Sequence, residues 1–79
     1  MKQPTEADLD IEIRDADVEI IFKPMMSRYS FPLLAKRRKV SARANVRHVK
    51  TGDTGDYASG DIEALAFRLA CVAIKRLQH

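Results

Sequence analysis

The stretch LDIEIRDADVEIIF, residues 9–22, decides the fold, because apolar and polar residues alternate in it on both sides of a short turn. That alternation is the period of a half-buried β-strand, whose successive side chains point to opposite faces. The apolar positions are Leu9, Ile11 and Ile13, then Val18, Ile20 and Phe22. Residues 14–17, RDAD, have turn chemistry, because aspartate side chains can bond nearby backbone amides. The sequence therefore predicts an acidic β-hairpin.

The second clear element is a C-terminal helix from Asp61 to about Gln78, a stretch without glycine or proline. Acids lie in its first turn and bases in its last, in agreement with the helix dipole. At 100° per residue its apolar positions span an arc of roughly 220°, wider than the stripe that a surface helix needs. One sheet face cannot cover that arc. We expect residues 24–35, a second copy of the chain or another partner to cover the rest.

Between hairpin and helix, residues 24–35, PMMSRYSFPLLA, are unusually apolar for a connection. One interpretation is that this segment wraps over the core. The other is a partner-binding patch, since contiguous exposed apolar surface marks interfaces. The residues of that secondary interface would be Met25, Met26, Tyr29 and Phe31.

Residues 35–50, AKRRKVSARANVRHVK, carry seven positive charges and no negative one. Even positions from Val40 to His48 alternate with odd positions from Arg37 to Arg47, which predicts a third strand. A helix is the alternative, because alanine, lysine and arginine favour helices, but the valines in this stretch do not form one helical stripe.

This order of elements predicts a small two-layer α+β domain. It would have a three-stranded, mostly antiparallel sheet (β-β-β-α) with the C-terminal helix packed on one face. Residues 1–8 are predicted to form a flexible tail, and residues 9–79 a single domain.

The net charge of +3 conceals three blocks of different sign. Residues 1–22 have seven acids and two bases, residues 23–50 have nine bases and no acid, and residues 51–79 have four acids and three bases. A long block of one sign is disordered, attracts a partner, or is neutralised by another block in the fold.

Two interpretations of the basic strand follow. Alternate residues of a strand stand about 6.6 Å apart, similar to phosphate spacing, so the strand can follow a nucleic-acid backbone. The candidate binding residues are Arg37, Arg38, Lys39, Arg43 and Arg47. The competing interpretation is internal balance, in which acids of the hairpin pair with these bases: Asp10, Glu12 and Glu19 with Lys39, Arg43 or Arg47. The cluster AKRRKV is also similar to a nuclear import signal, a pattern that is common by chance.

No catalytic, cofactor or metal motif stands out, so we expect no enzyme, no cofactor and no small-molecule substrate. His48 and His79 have no second ligand at zinc spacing. The glycine- and aspartate-rich residues 51–61 lack the ligand spacing of a calcium loop and favour a turn that leads into a helix cap. Cys71 is predicted to be a buried thiol. Charges interrupt the longest apolar run, so we expect no membrane span and a cytoplasmic location.

These observations favour a non-enzymatic binding module that engages nucleic acid or a nucleic-acid-handling complex. The alternative is an inhibitor that binds and blocks a larger protein machine. Small, charge-segregated chains without catalytic chemistry are typical of phage and mobile-element products, anti-CRISPR inhibitors among them, although no motif here carries such a resemblance. A homodimer formed through the wide face of the C-terminal helix is compatible with either function.

Overall fold

A computed structural model describes residues 3–36, 38–48 and 57–77, for His48 and Ser59 the backbone alone. In these residues a 3₁₀ turn, Glu6–Asp8, is followed by five strands and one helix. The strands and the helix are β1 (Leu9–Ile13), β2 (Asp17–Phe22), β3 (Ser27–Leu34), β4 (Lys39–Val40), β5 (Asn45–His48) and α1 (Ser59–Leu77). The strands form one antiparallel sheet, and the molecule is a small α+β domain as predicted.

The β1–β2 hairpin forms around the turn that the sequence predicts. Its register runs from Leu9 opposite Phe22 to Ile13 opposite Val18. The N–H of Arg14 donates to the carbonyl of Asp17 at 2.9 Å and closes the turn. This register keeps the apolar positions of both strands on the face toward the helix.

The prediction of a connection at residues 24–35 is wrong, because most of that segment is β3. The strand pairs with β2 over six consecutive residues, from Asp17 opposite Pro32 to Phe22 opposite Ser27. The apolar residues of β3 alternate with polar ones, and Tyr29 and Phe31 point into the core, 2% and 0% exposed. The sheet therefore has an additional central strand.

The fourth strand of the sheet is broken into β4 and β5, which pair with the same edge of β3. Leu33 lies opposite Val40 and Ser30 opposite Asn45, so residues 41–44 face only residues 31–32. At the break Ser41 donates its N–H to the carbonyl of Pro32 at 2.8 Å. Proline has no N–H to return that bond, so a regular ladder cannot continue there. The predicted third strand thus exists in two short pieces.

The helix α1 covers the inner face of the sheet. The buried apolar residues that form the core come from β1, β2, β3 and α1: Leu9, Val18, Ile20, Phe22, Tyr29, Phe31, Ile62, Ala66, Leu69, Ala70 and Ile74. The ring of Phe67 packs on that of Phe31, with centroids 5.7 Å apart. Residues of β3 therefore cover part of the wide apolar arc of the helix. Val72 and Leu77 stay exposed at 40% and 63%, and the homodimer through this helix stays a prediction.

The sequence predicts a flexible tail at residues 1–8, of which the structure describes residues 3–8. The carboxylate of Asp8 accepts hydrogen bonds from the N–H and the hydroxyl of Thr5, both at 3.1 Å. The carbonyl of Asp8 accepts the N–H of Lys23 at 2.9 Å, which joins the turn to the start of the β2–β3 connection. Gln3 and Pro4 line a surface groove with residues of α1.

Candidate polyanion-binding edge

The strand order separates the acidic and the basic blocks of the sequence. In the sheet β1 and β2 lie on one side of β3, and β4 and β5 lie on the other. Neighbouring strands are about 4.8 Å apart, so β1 and the broken fourth strand are separated by about 14 Å. That separation exceeds the Debye length of about 8 Å at physiological salt, so exposed charges on the two edges do not neutralise each other.

Three acids of β1 and β2, Asp10, Glu12 and Glu19, pair with bases outside β4 and β5, whereas the buried Oδ1 of Asp17 has no hydrogen-bond partner in the described part of the chain. Glu19 is only 4% exposed and accepts from two guanidinium groups, Arg28 Nη1 at 2.9 Å and Arg14 Nη2 at 3.0 Å. Two more contacts are longer and exposed: Arg14 to Glu12 at 3.5 Å, and Lys23 to Asp10 at 3.7 Å. The buried carboxylate of Glu19 is thus satisfied without any residue of β4 or β5.

The competing interpretation from the sequence requires ion pairs between acids of the hairpin and three bases of the basic strand, and the described part of the chain contains none of them. Among residues 3–36, 38–48 and 57–77, no carboxylate forms a salt bridge with Lys39, Arg43 or Arg47. The strand β3 lies between these bases and the acids of β1 and β2. Arg47 lines an outer-face pocket with Asp17 and Glu19, but neither carboxylate forms a salt bridge with it.

The structure divides the predicted binding residues among three places. Arg38 and Lys39 lie next to the turn between β3 and β4, and Arg43 lies in the break between β4 and β5. Arg47 lies in β5 directly opposite Arg28, which places it on the outer face of the sheet, away from α1. Arg37 lies outside the described residues. We name Lys39, Arg43 and Arg47 the basic edge.

A groove between β4 and α1 brings two of the predicted bases together with a third that sequence reasoning missed. Its volume is about 310 Å³. Arg38, Lys39 and Lys75 provide the charges, and Val40, Cys71 and Ile74 provide the apolar part of the wall. In the sequence, Lys75 is one of two bases that match the helix dipole, and nothing there connects it to β4. Burial raises the pKa of the Cys71 thiol, so the groove presents a neutral SH group at pH 7.

The turn that presents this groove has an uncommon backbone. Ala35 and Lys36 both have positive φ, 51° and 56°. Side chains with a Cβ reach this left-handed region at a cost of roughly 1–2 kcal/mol per residue. Strain of this type persists only where the surrounding structure holds it, and it occurs often at binding sites. This strained pair comes shortly before Arg38 and Lys39, two of the bases that line the groove.

On the outer face, two like charges lie directly opposite each other. Arg28 and Arg47 are partners in the β3–β5 register. Like charges in such a pair are destabilising, and a bound anion removes that repulsion. Arg28 pairs with Glu19 at 2.9 Å, whereas Arg47 forms no salt bridge with a described carboxylate.

The residues of the predicted secondary interface do not form a common surface. Tyr29 and Phe31 belong to the core, and Met25 packs partly buried against it. Met26 is 40% exposed, at a positive φ of 52° in the β2–β3 turn. An apolar docking patch would need Tyr29 and Phe31 to leave the core, so Met26 is the one large exposed group of the four.

Comparisons with known proteins give no further assignment: no family model, no curated protein and no solved structure matches this chain. Within the described residues, no helix has both the length and the apolar character that a membrane span requires. In the same part of the chain, no three His, Cys, Asp or Glu side chains are grouped so that they could hold a metal ion.

Proposed function

We propose that this chain is a non-enzymatic binding module that holds the phosphate backbone of nucleic acid along its basic edge and the adjoining groove. The observation that supports this most is the strand order. It keeps Lys39, Arg43 and Arg47 on the side of β3 away from β1 and β2, where no described carboxylate pairs with them. Lysine and arginine side chains that neutralise phosphates release condensed counterions, which drives association.

This surface favours affinity without base discrimination. Contacts of lysine and arginine with phosphates position a protein but carry no sequence information. Stacking on aromatic rings is the usual further source of affinity for single strands. Tyr29 and Phe31, which precede the basic edge in the chain, are 2% and 0% exposed and so cannot stack, and the partly buried Tyr57 that follows it packs edge-on against Phe22. We therefore expect similar affinities for different sequences of equal length.

The first test measures binding of fluorescent DNA and RNA oligonucleotides by anisotropy at about 50–200 mM salt. Four phosphate contacts predict a slope of log K against log salt near −3.6, and so about a 150-fold loss of affinity over this range. No binding to either nucleic acid at about 50 mM salt would contradict the proposal.

A matched pair of variants locates the site. Lys39→Glu with Lys75→Glu reverses two charges of the groove, while Arg68→Glu with Arg76→Glu reverses two charges of α1 on the side of β1. Both variants have the same net charge, and each removes one base from the last turn of the helix. We expect the first to lose at least tenfold in affinity and the second to lose much less. Equal losses would indicate a general charge effect without a site.

An alternative function is an inhibitor that docks on an acidic patch of a larger protein machine. The observation that favours it is the mixed wall of the groove, in which Val40 and Ile74 lie next to three bases. An acidic and apolar protein segment could use both parts, whereas a phosphate backbone uses the charges alone. Capture from a lysate with and without nuclease separates the two: nuclease-resistant capture of one complex favours inhibition. The cytoplasmic location expected from the sequence remains part of either proposal.

A further inference from the structure

One cross-strand row of the sheet has a buried centre and two exposed apolar ends. The row consists of Ile11 in β1, Ile20 in β2, Tyr29 in β3 and Val46 in β5, each opposite the next. Ile20 and Tyr29 are 0% and 2% exposed, but Ile11 and Val46 are 43% and 40% exposed. A sheet four strands wide measures about 19 Å and a helix about 10 Å, so along this row α1 covers the middle and leaves Ile11 and Val46 exposed, although Leu9 of β1 and Val40 of β4 pack against the core elsewhere.

The two margins are also the two outer edges of the sheet. The strand order ends at β1 on one side and at β4 and β5 on the other, and no described strand pairs with either outer edge. Unpaired N–H and C=O groups on an edge are a ready template for another strand. Among the described strands, each edge therefore combines backbone groups that pair with no further strand with an exposed apolar residue on the helix side.

On the outer face, the same edges carry opposite charge. In β1 the side chains of Asp10 and Glu12 are 62% and 57% exposed. Asp10 has one long contact with Lys23, at 3.7 Å, and Glu12 one with Arg14, at 3.5 Å. In β5 the exposed Arg47 pairs with no described carboxylate.

We propose that copies of this chain associate head to tail, with β1 of one copy adding to β5 of the next. The row then continues across the contact, with Val46 opposite Ile11 of the next copy. Since β1 runs antiparallel to β5, this register places Arg47 opposite Asp10 and Asn45 opposite Glu12. Apolar residues meet on the helix side and opposite charges meet on the outer side. The proposal does not depend on nucleic-acid binding.

Charge disfavours the symmetric alternatives. Two copies that pair β1 with β1 about Ile11 place Asp10 opposite Glu12 twice, which opposes like charges. Two copies that pair β5 with β5 about Val46 place Arg47 opposite Asn45 and bring no carboxylate to the contact. In the head-to-tail arrangement each contact pairs the β1 edge of one copy with the β5 edge of another, so two neighbours are needed to cover both edges of a copy. Such a heterologous contact closes into a ring or continues as an open chain.

Multi-angle light scattering of nuclease-treated protein tests this at about 50 mM and 500 mM salt, because salt screens exposed pairs. We expect masses of several copies that rise with concentration at low salt, and a mass near the single-chain 8.9 kDa at high salt. A constant single-chain mass at low salt, up to millimolar concentration, would overturn the proposal.

Charge reversal identifies the contact. Asp10→Arg alone and Arg47→Glu alone should each shift the protein to the single-chain mass, with circular dichroism confirming the fold. The double variant D10R/R47E restores the opposite pair with its sides exchanged, so it should assemble again. Assembly unchanged in both single variants, or not restored in the double variant, would place the contact elsewhere and overturn the proposal. Arg47 belongs to the basic edge, so Arg47→Glu should also weaken nucleic-acid binding, whereas Asp10→Arg leaves the basic edge and the groove intact. Loss of assembly in Asp10→Arg with unchanged nucleic-acid affinity therefore separates the two proposals.

Discussion

The strand β3 pairs with β2 along one edge and with β4 and β5 along the other, and the two pairings differ. Along one edge β2 pairs without interruption from Phe22 to Asp17. Along the other, β5 and β4 pair with the two ends of β3 and leave a break beside Pro32. Arg28 shows the same contrast in charge, since it contacts Glu19 of β2 at 2.9 Å and lies opposite Arg47 of β5.

This contrast suggests a division of roles, in which the β2 side of the sheet stabilises the fold and the side of β4 and β5 binds partners. On the β2 side, the ladder is continuous, the apolar residues are buried and the buried carboxylate is paired. On the other side, the ladder is broken and the bases of the basic edge have no described carboxylate partner. Elements that bind partners often come from the less stable part of a structure. We therefore expect substitutions on the β2 side to affect folding, and substitutions on the other side to affect binding.

The largest expected effect compares the two residues that lie opposite Tyr29. Ile20 in β2 is 0% exposed and Val46 in β5 is 40% exposed. Ile20→Ala removes buried methyl groups and leaves a cavity, so it should lower the free energy of unfolding by about 3 kcal/mol. Val46→Ala should lower it by less than about 1 kcal/mol. Urea unfolding measures both, and equal losses would show that the two sides of β3 contribute equally.

The next effect concerns the buried carboxylate of Glu19. Glu19→Gln keeps the shape of the side chain but weakens its hydrogen bonds from Arg14 and Arg28, which lie at 3.0 and 2.9 Å. Both arginines are about 40% exposed and therefore partly screened, so we expect a loss of about 1–2 kcal/mol. The control is Glu12→Gln on the exposed contact with Arg14, which should change stability by a few tenths of a kcal/mol. Comparable losses in the two variants would argue against a special role of the buried site.

The sequence predicted the β1–β2 hairpin and the helix α1 best, because in each a single periodicity of apolar residues extends over the whole element. Residues 9–22 alternate cleanly, and the region from Asp61 has helix signals at both ends. The strand β3 was missed because Pro24 and Pro32 and the pair Leu33–Leu34 resemble a connection, although Ser27, Tyr29 and Phe31 alternate correctly. The groove was missed because it joins β4 to Lys75, which are far apart in the chain. Local patterns predict elements, whereas strand order and contacts between elements depend on packing of the whole chain.

A smaller effect on the free energy of unfolding, confined to alkaline pH, concerns Tyr29, the residue opposite both Ile20 and Val46. Burial raises the pKa of Tyr29 above its ordinary value of 10.0, and the carboxylate of Glu63 raises it further. The unfolded chain therefore ionises first, so the stability from a neutral Tyr29 is complete below pH 10 and falls as the pH rises through the folded pKa.

Unfolding of the wild type and of Tyr29→Phe across this pH range measures the contribution. Burial also raises the pKa of the Cys71 thiol, so both proteins should carry Cys71→Ala. We expect the stability of the protein with Tyr29 to fall more steeply above pH 10. Parallel curves would show that Tyr29 ionises in the folded sheet as easily as in the unfolded chain.

The smallest effect tests whether a residue on the β5 side of β3 lowers the stability of the fold and serves binding instead. Arg47→Glu places a carboxylate opposite Arg28 and turns a like-charge pair into an opposite one. Exposed cross-strand pairs contribute a few tenths of a kcal/mol, so this variant should be about 0.5 kcal/mol more stable than the wild type. Arg47→Gln removes only the repulsion and should gain about half as much. Salt should reduce both gains, which urea unfolding at low protein concentration can measure.

If Arg47→Glu is both more stable and unable to assemble, Arg47 lowers the stability of its own fold, as expected for a residue that serves a contact outside its own chain. A variant less stable than the wild type would instead show that Arg47 stabilises its own sheet, and the contrast between the two edges of β3 would lose its functional meaning.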